Sequence, residues 1–172
     1  MIDADPLFID PASCELALSD ASPCIDSGDP TVTDGRCCQE DRYGNVRVLD
    51  GLLDNEKRID MGGHEFAHVS LAVSGNWTPG GDVTLDTLVT PNINSAFLFI
   101  GLGETSFCHP FGCFCIDFGN AWWFLQWPPF TSQVTIGIPP DAPELTILLQ
   151  VLGLSATAGN TSNCAQIVIE AP

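Results

Sequence analysis

The sequence predicts an all-β protein, and three observations lead to that prediction. Apolar segments are short, and many alternate with polar residues in the period-two pattern of a half-buried strand. Turn-forming pairs such as Pro91-Asn92 and Gly159-Asn160 separate these segments. No stretch carries the apolar spacing of an amphipathic helix. At 172 residues and 45% hydrophobic content, the chain can form one ordinary domain or two small ones.

The second half, residues 69–172, predicts an antiparallel β-sandwich of about seven or eight strands. Turn signals at regular intervals divide this half into segments that alternate or are apolar throughout. The strands expected most clearly cover residues 69–74, 83–86, 96–102, 133–138, 146–154 and 165–169.

The first half, residues 1–68, has a different composition. It contains 15 of the 22 acidic residues and all five basic residues. Apolar pieces at residues 7–9, 16–18, 46–48 and 59–61 lie between closely spaced turn signals. Strands this short cannot bury a face alone and need stacked neighbours, as in a solenoid. We therefore expect a boundary near residue 68.

The net charge argues against binding to nucleic acid or membranes, and the cysteine content indicates an oxidising environment. The net charge of -17 disfavours nucleic acid and anionic membrane surfaces, and no apolar run is long enough to insert into a membrane. Eight cysteines favour disulfides and a secreted or cell-surface location. The local disulfide that we expect joins Cys108 to either Cys113 or Cys115. Because no signal peptide is visible, we expect a fragment of a longer secreted chain.

Four segments of the first half resemble the C-terminal rungs of right-handed parallel β-helix proteins exported by environmental bacteria. They are residues 5–10, 22–29, 41–47 and 59–66, and their order and spacing match those terminal rungs. The resemblance covers nearly all of residues 3–66. It implies that residues 1–68 cap a β-helix whose upstream coils belong to the rest of the chain. It implies a capping end and no active site.

Residues 73–81, 108–113 and 138–145 look like parts of a C-terminal β-sandwich module of planctomycete- and myxobacterium-type secreted proteins. This second resemblance implies only a fold and an extracellular location for residues 69–172.

The segment from His64 to His68 matches the H-E-x-x-H pattern. On a helix, His64 and His68 would bind one Zn²⁺ and Glu65 would activate a water, with His109 as a third ligand. Gly62-Gly63 before the segment and a strand-like sequence after it favour an extended backbone instead. An extended backbone would place the two imidazoles about 13 Å apart, so zinc binding by this segment is only the alternative hypothesis.

Two acidic clusters are candidates for Ca²⁺ binding, because this ion prefers several carboxylate and carbonyl oxygens in a flexible loop. The alternative is that these carboxylates accept hydrogen bonds from the backbone of turns. The candidate ligands are Asp26, Asp29, Asp34, Asp50, Asp54 and Asp60.

Four tryptophans, Trp77, Trp122, Trp123 and Trp127, are candidates for an aromatic strip that stacks on sugar rings. Alternation places Trp122 and Trp123 on opposite faces of a strand, so at least one face is expected in the core.

Together these patterns predict a non-catalytic extracellular module that caps or anchors a larger secreted protein. Ca²⁺ would stabilise it, and carbohydrate or a cell surface would be its external contact. The alternative is a small metal-dependent hydrolase from an environmental bacterium, acting on a peptide, ester or lactone through Glu65.

Overall fold

The computed structural model describes residues 3–32, 40–42, 44–54, 56–109, 112–119, 121–127 and 132–170, with the backbone alone for 106–109, 112–113 and 121–127. The fold is all-β, as predicted, and the described helical structure is one 3-10 turn at Pro11–Ser13. Within the described residues no helix is long and apolar enough to cross a membrane. The strands are β1 (Phe8–Asp10), β2 (Glu15–Leu18), β3 (Val69–Gly75), β4 (Asp82–Val89), β5 (Ser95–Gly101), β6 (Glu104–His109), β7 (Gly112–Ile116), β8 (Ala121–Trp127), β9 (Ser132–Gly137), β10 (Leu145–Leu154), β11 (Gly159–Thr161) and β12 (Ala165–Ile169).

Two antiparallel sheets face each other across the main core. One has the order β3-β4-β9, and in the other β10 pairs with β5 on one side and with β11 and β12 on the other, while β5 also pairs with β8. Alternate residues of each strand point inward, as the period-two pattern predicts. The buried core residues are Val69, Leu71, Val83, Leu85, Val89, Ile93, Ala96, Leu98, Ile138, Leu149, Val151, Ile167 and Ile169.

A hairpin of β6 and β7 lies beside the larger sheet. The side-chain oxygen of Gln150 in β10 accepts a hydrogen bond from the Cys115 N–H at 3.2 Å, and the Phe99 and Phe114 rings meet edge to face. A disulfide joins Cys115 to Cys164, with the two Cα atoms 6.1 Å apart. The hairpin is therefore held covalently to the segment that precedes β12.

This disulfide corrects one expected pairing, because Cys115 bonds to Cys164 and not to Cys108. The Cys108–Cys115 alternative is wrong because the hairpin turns Cys115 toward the neighbouring sheet. The Cys108–Cys113 alternative stays a prediction. Cys108 and Cys113 are partners in the β6–β7 register, and their side chains lie outside the described residues. Cys14 is an exposed free thiol and Cys24 a buried one.

The N-terminal region contains little regular structure. Strands β1 and β2 form an antiparallel ribbon, and isolated antiparallel bridges join Glu40 to Val46 and Leu49 to Arg58. The expected strands at 46–48 and 59–61 are therefore absent, apart from the bridge at Val46. The parallel rungs that the β-helix resemblance implies remain a prediction. Continuous strands begin at Val69, which is close to the predicted boundary.

Residues 50–68 pack against one end of the sandwich. Leu53 lies against the main core, and its carbonyl accepts a hydrogen bond from the Thr157 hydroxyl at 3.1 Å. The Asn160 amide donates to the Asp50 carbonyl at 3.3 Å. These contacts place the acidic turns directly beside the sheets.

Candidate functional site: a chain of buried carboxyl groups

The H-E-x-x-H segment is not helical, as the preceding glycine pair predicted. Gly62 has a φ of +119°, a backbone conformation that favours glycine. Nδ1 of His64 accepts a hydrogen bond from the Leu18 N–H at 3.1 Å, which ties it to the β1–β2 ribbon. Because a helix is needed to place both imidazoles on one face, this segment lacks the geometry of a zinc protease.

His68 is directed toward the sandwich. Its side chain is buried, with Nδ1 2.6 Å from the Thr90 hydroxyl and Nε2 2.9 Å from the Gly51 carbonyl oxygen. Burial lowers the pKa of His68, and a neutral ring can donate to the carbonyl through Nε2 while Nδ1 accepts from the hydroxyl. This histidine joins the acidic turns to the sandwich. His109 lies in β6, and its side chain is outside the described residues.

Glu65 is completely buried. Both oxygens of its carboxyl group lie close to the Asp60 N–H, at 3.2 and 3.3 Å, and the Arg47 guanidinium lies 3.8 Å away. Burial, reinforced by the nearby Asp60 charge, raises the pKa of Glu65 to about 9. The group is therefore protonated at neutral pH. A general base must be deprotonated to accept a proton, so Glu65 is poorly suited to that role.

Asp60 and Asp26 continue the same arrangement. Oδ1 of Asp60 accepts from the Asp26 N–H at 2.7 Å, and Oδ2 accepts from the Phe66 N–H at 2.5 Å. Asp26 in turn accepts from the Leu52 N–H at 2.8 Å and from the Gly51 N–H at 3.3 Å. Burial raises the pKa of Asp60 to about 6 and that of Asp26 to about 7.

Asp41, which the sequence patterns did not single out, adds a fourth group. Its Oδ2 accepts from the Glu65 N–H at 2.8 Å, and its Oδ1 accepts from the Asn45 N–H at 2.9 Å.

We call Asp26, Asp41, Asp60 and Glu65 the carboxyl chain. Each member accepts hydrogen bonds from the backbone of another segment, where regular strand pairing is scarce. Unpaired buried N–H groups are costly, so these side chains supply the acceptors that a sheet would otherwise provide.

The remaining calcium candidates make local contacts. Asp29 accepts from both the N–H and the hydroxyl of Thr31, and Asp54 accepts from the Glu56 N–H while pairing with Arg58. Asp50 is buried and accepts from the Asp54 N–H at 2.9 Å.

Asp34 lies outside the described residues. Within the described part of the chain, no group of three or more His, Cys, Asp or Glu side chains is arranged to hold a metal ion. Calcium binding stays a prediction, as does the sequence-based Zn²⁺ alternative.

The aromatic candidates divide into two groups. Trp77 is half-buried against the sandwich core and lines a shallow surface cavity of about 430 Å³ with Asn76, Thr78, Val168 and Glu170. Trp122, Trp123 and Trp127 lie in β8, which pairs with β5, and their side chains are outside the described residues.

No protein-family model matches this chain, and no curated protein matches it either.

Proposed function

We propose that this chain is a non-catalytic extracellular module that caps or anchors a larger secreted protein. One observation carries the proposal: the described acids and histidines that a hydrolase would use are bonded into the fold. Glu65 is buried and holds a proton, and His64 and His68 contact different parts of the protein. Groups held in this way stabilise a scaffold.

The exposed N-terminal ribbon supports the capping role. Its aliphatic side chains Leu7, Ile9 and Leu16 are exposed, and Ile9 has 63% of its surface accessible. Exposed aliphatic groups on such a short ribbon favour contact with another protein surface. Upstream coils of a longer secreted chain would cover this end, because short strands are stable when neighbours stack on them.

Other features support an extracellular setting and a surface contact. The Cys115–Cys164 disulfide suits an oxidising environment. The cavity beside Trp77 combines an aromatic ring with the polar side chains of Asn76, Thr78 and Glu170, a combination that suits a sugar ligand. Ca²⁺ remains the ion expected to stabilise the acidic loops.

A hydrolase assay separates this proposal from the metal-dependent alternative. Wild type, Glu65→Gln and the exposed control Glu56→Gln would be tested on peptide, ester and lactone substrates, with and without a chelator. We expect no hydrolysis above background in any of the three. A robust, chelator-sensitive activity that disappears in a folded Glu65→Gln variant and persists in Glu56→Gln would contradict the proposal.

A further inference from the structure

Strand β9 exposes side chains on its core-facing side. It pairs with β4 in a register that places Val134 opposite Leu85 and Ile136 opposite Val83. Directly opposed residues share a face, so Val134 and Ile136 point toward the interior with their buried partners. Nevertheless, 36% of Val134 and 46% of Ile136 remain accessible. In the described residues no strand pairs with the other edge of β9.

The opposite edge of the same sheet, β3, has one of its positions occupied by a side chain. The carboxamide of Asn163 accepts from the Leu71 N–H at 3.0 Å and donates to the Leu71 carbonyl at 2.8 Å. One side chain thus occupies the hydrogen-bonding positions of a neighbouring strand beside β3. The Ser132–Gly137 segment of β9 contains neither proline nor a charged residue, the usual protections of an exposed edge.

An apolar cavity of about 220 Å³ lies between the two sheets beside β9. Ile136 both lines this cavity and is partly exposed, so the apolar interior reaches the surface at the β9 edge. A strand added to β9 would place alternate side chains over Val134 and Ile136. The cavity walls are formed by Val83, Leu85, Ile100, Ile136, Gly137, Ile138, Pro139, Ile147, Leu149, Ile167 and Ile169.

The negative charge of this chain indicates which kind of partner could bind the β9 edge. Residues 69–172 contain seven acidic residues and no Lys or Arg. The Asp82 carboxylate lies 3.5 Å from the position that a Cβ on Gly137 would take, so it extends over the glycine end of β9. A second copy of this chain would also carry a net charge of -17 and be repelled. A basic strand would be attracted.

We propose that β9 is a docking edge for an extended segment of a basic partner protein. The partner strand pairs with the backbone of β9, turns alternating aliphatic side chains toward Val134 and Ile136, and places a Lys or Arg beside Asp82. Strand addition of this type takes its affinity from main-chain hydrogen bonds and its specificity from alternate side chains. The proposal goes beyond the capping role and does not depend on it.

A labelled peptide tests the proposal on the whole 172-residue chain. The probe alternates valine and threonine over about eight residues and carries lysine at both ends, and a matched peptide carries glutamate instead. We expect saturable binding of the lysine peptide by fluorescence anisotropy. The glutamate peptide should bind at least about tenfold more weakly at low salt, because the edge is acidic.

Three variants locate the binding. Ile136→Lys places a charge at the apolar edge and should weaken peptide binding at least about tenfold. Leu52→Lys alters a similarly exposed aliphatic residue in the acidic turns, away from β9, and should change binding less than about twofold. Asp82→Asn should weaken binding of the lysine peptide several-fold and reduce its salt dependence. Asp82→Asn also provides the test if Ile136→Lys impairs folding in thermal melts.

Several results would overturn the proposal. They are no saturable binding of the lysine peptide, equal affinity for the glutamate peptide, or equal losses in Ile136→Lys and Leu52→Lys. A self-associated protein that Ile136→Lys converts to monomer would identify a second copy as the occupant. Binding of decanoate in place of the peptide would identify the cavity as a small-molecule site.

Discussion

Replacing Glu65 with glutamine is expected to reduce the pH dependence of stability above neutrality. Burial raises the pKa of this carboxyl group from 4.5 to about 9, so the folded state retains a proton that the unfolded chain loses. The stability from this proton is complete below the unfolded pKa and is lost as pH rises through the folded value. The loss is up to about 1.4 kcal/mol for each pH unit.

The Glu65→Gln variant has no proton to lose at this position. Its carboxamide oxygen can still accept the Asp60 N–H, so stability near neutral pH should change little. From about pH 7 to about pH 8.5, wild type should lose about 2 kcal/mol more than the variant. For a chain of this length, that difference corresponds to about 4–8 °C in melting temperature. His64 and His68, whose pKa values are lowered, are neutral throughout this window.

Urea unfolding at several pH values above neutrality measures the effect. Glu170→Gln is the matched control, because Glu170 is exposed and gives up little hydration on folding. The control should follow wild type, and Glu65→Gln should show a smaller decline. Equal declines for wild type and Glu65→Gln would refute the assignment of a retained proton to Glu65.

Three further predictions concern the scaffold. Replacing both Cys115 and Cys164 with alanine should lower the free energy of unfolding by about 2–4 kcal/mol, and an unchanged urea midpoint would refute this effect. His68→Ala should lower the free energy of unfolding by about 2–4 kcal/mol and His64→Ala by about 1 kcal/mol, because His68 is buried and bonded at both ring nitrogens. Equal losses of stability in the two variants would contradict this difference. If Ca²⁺ binds an acidic loop, it should add about 2.7 kcal/mol at a hundredfold excess over its dissociation constant, and an unchanged melting temperature at millimolar Ca²⁺ would exclude the ion.

The sequence predicted the sandwich well because its strands alternate or are buried on both faces. All six expected segments are strands, and β10 begins within one residue of its expected start. Gly159 and Asn160 read as a turn but begin β11, which gains its order from pairing with β10. That pairing is set by tertiary structure, so a local turn signal could not reveal it.

The N-terminal region was predicted less well, for a related reason. Aliphatic pieces at 46–48 and 59–61 have the composition of strands, but the carboxyl chain supplies many of the nearby acceptors. Asp26 accepts from Leu52, which is 26 positions away, and such a pairing has no local signature. The sequence did identify the acids and the non-helical backbone of the H-E-x-x-H segment. It could not show that burial would leave Glu65 protonated.

The H-E-x-x-H segment has a structural role, and a zinc titration followed by NMR of the histidine rings tests this role. One equivalent of Zn²⁺ should leave the ring signals of His64 and His68 unchanged, because the two rings bond to separate parts of the protein. Glu65→Gln should give the same result. Saturable shifts of both rings with one Zn²⁺ per chain would contradict the claim and support the metal-dependent hydrolase.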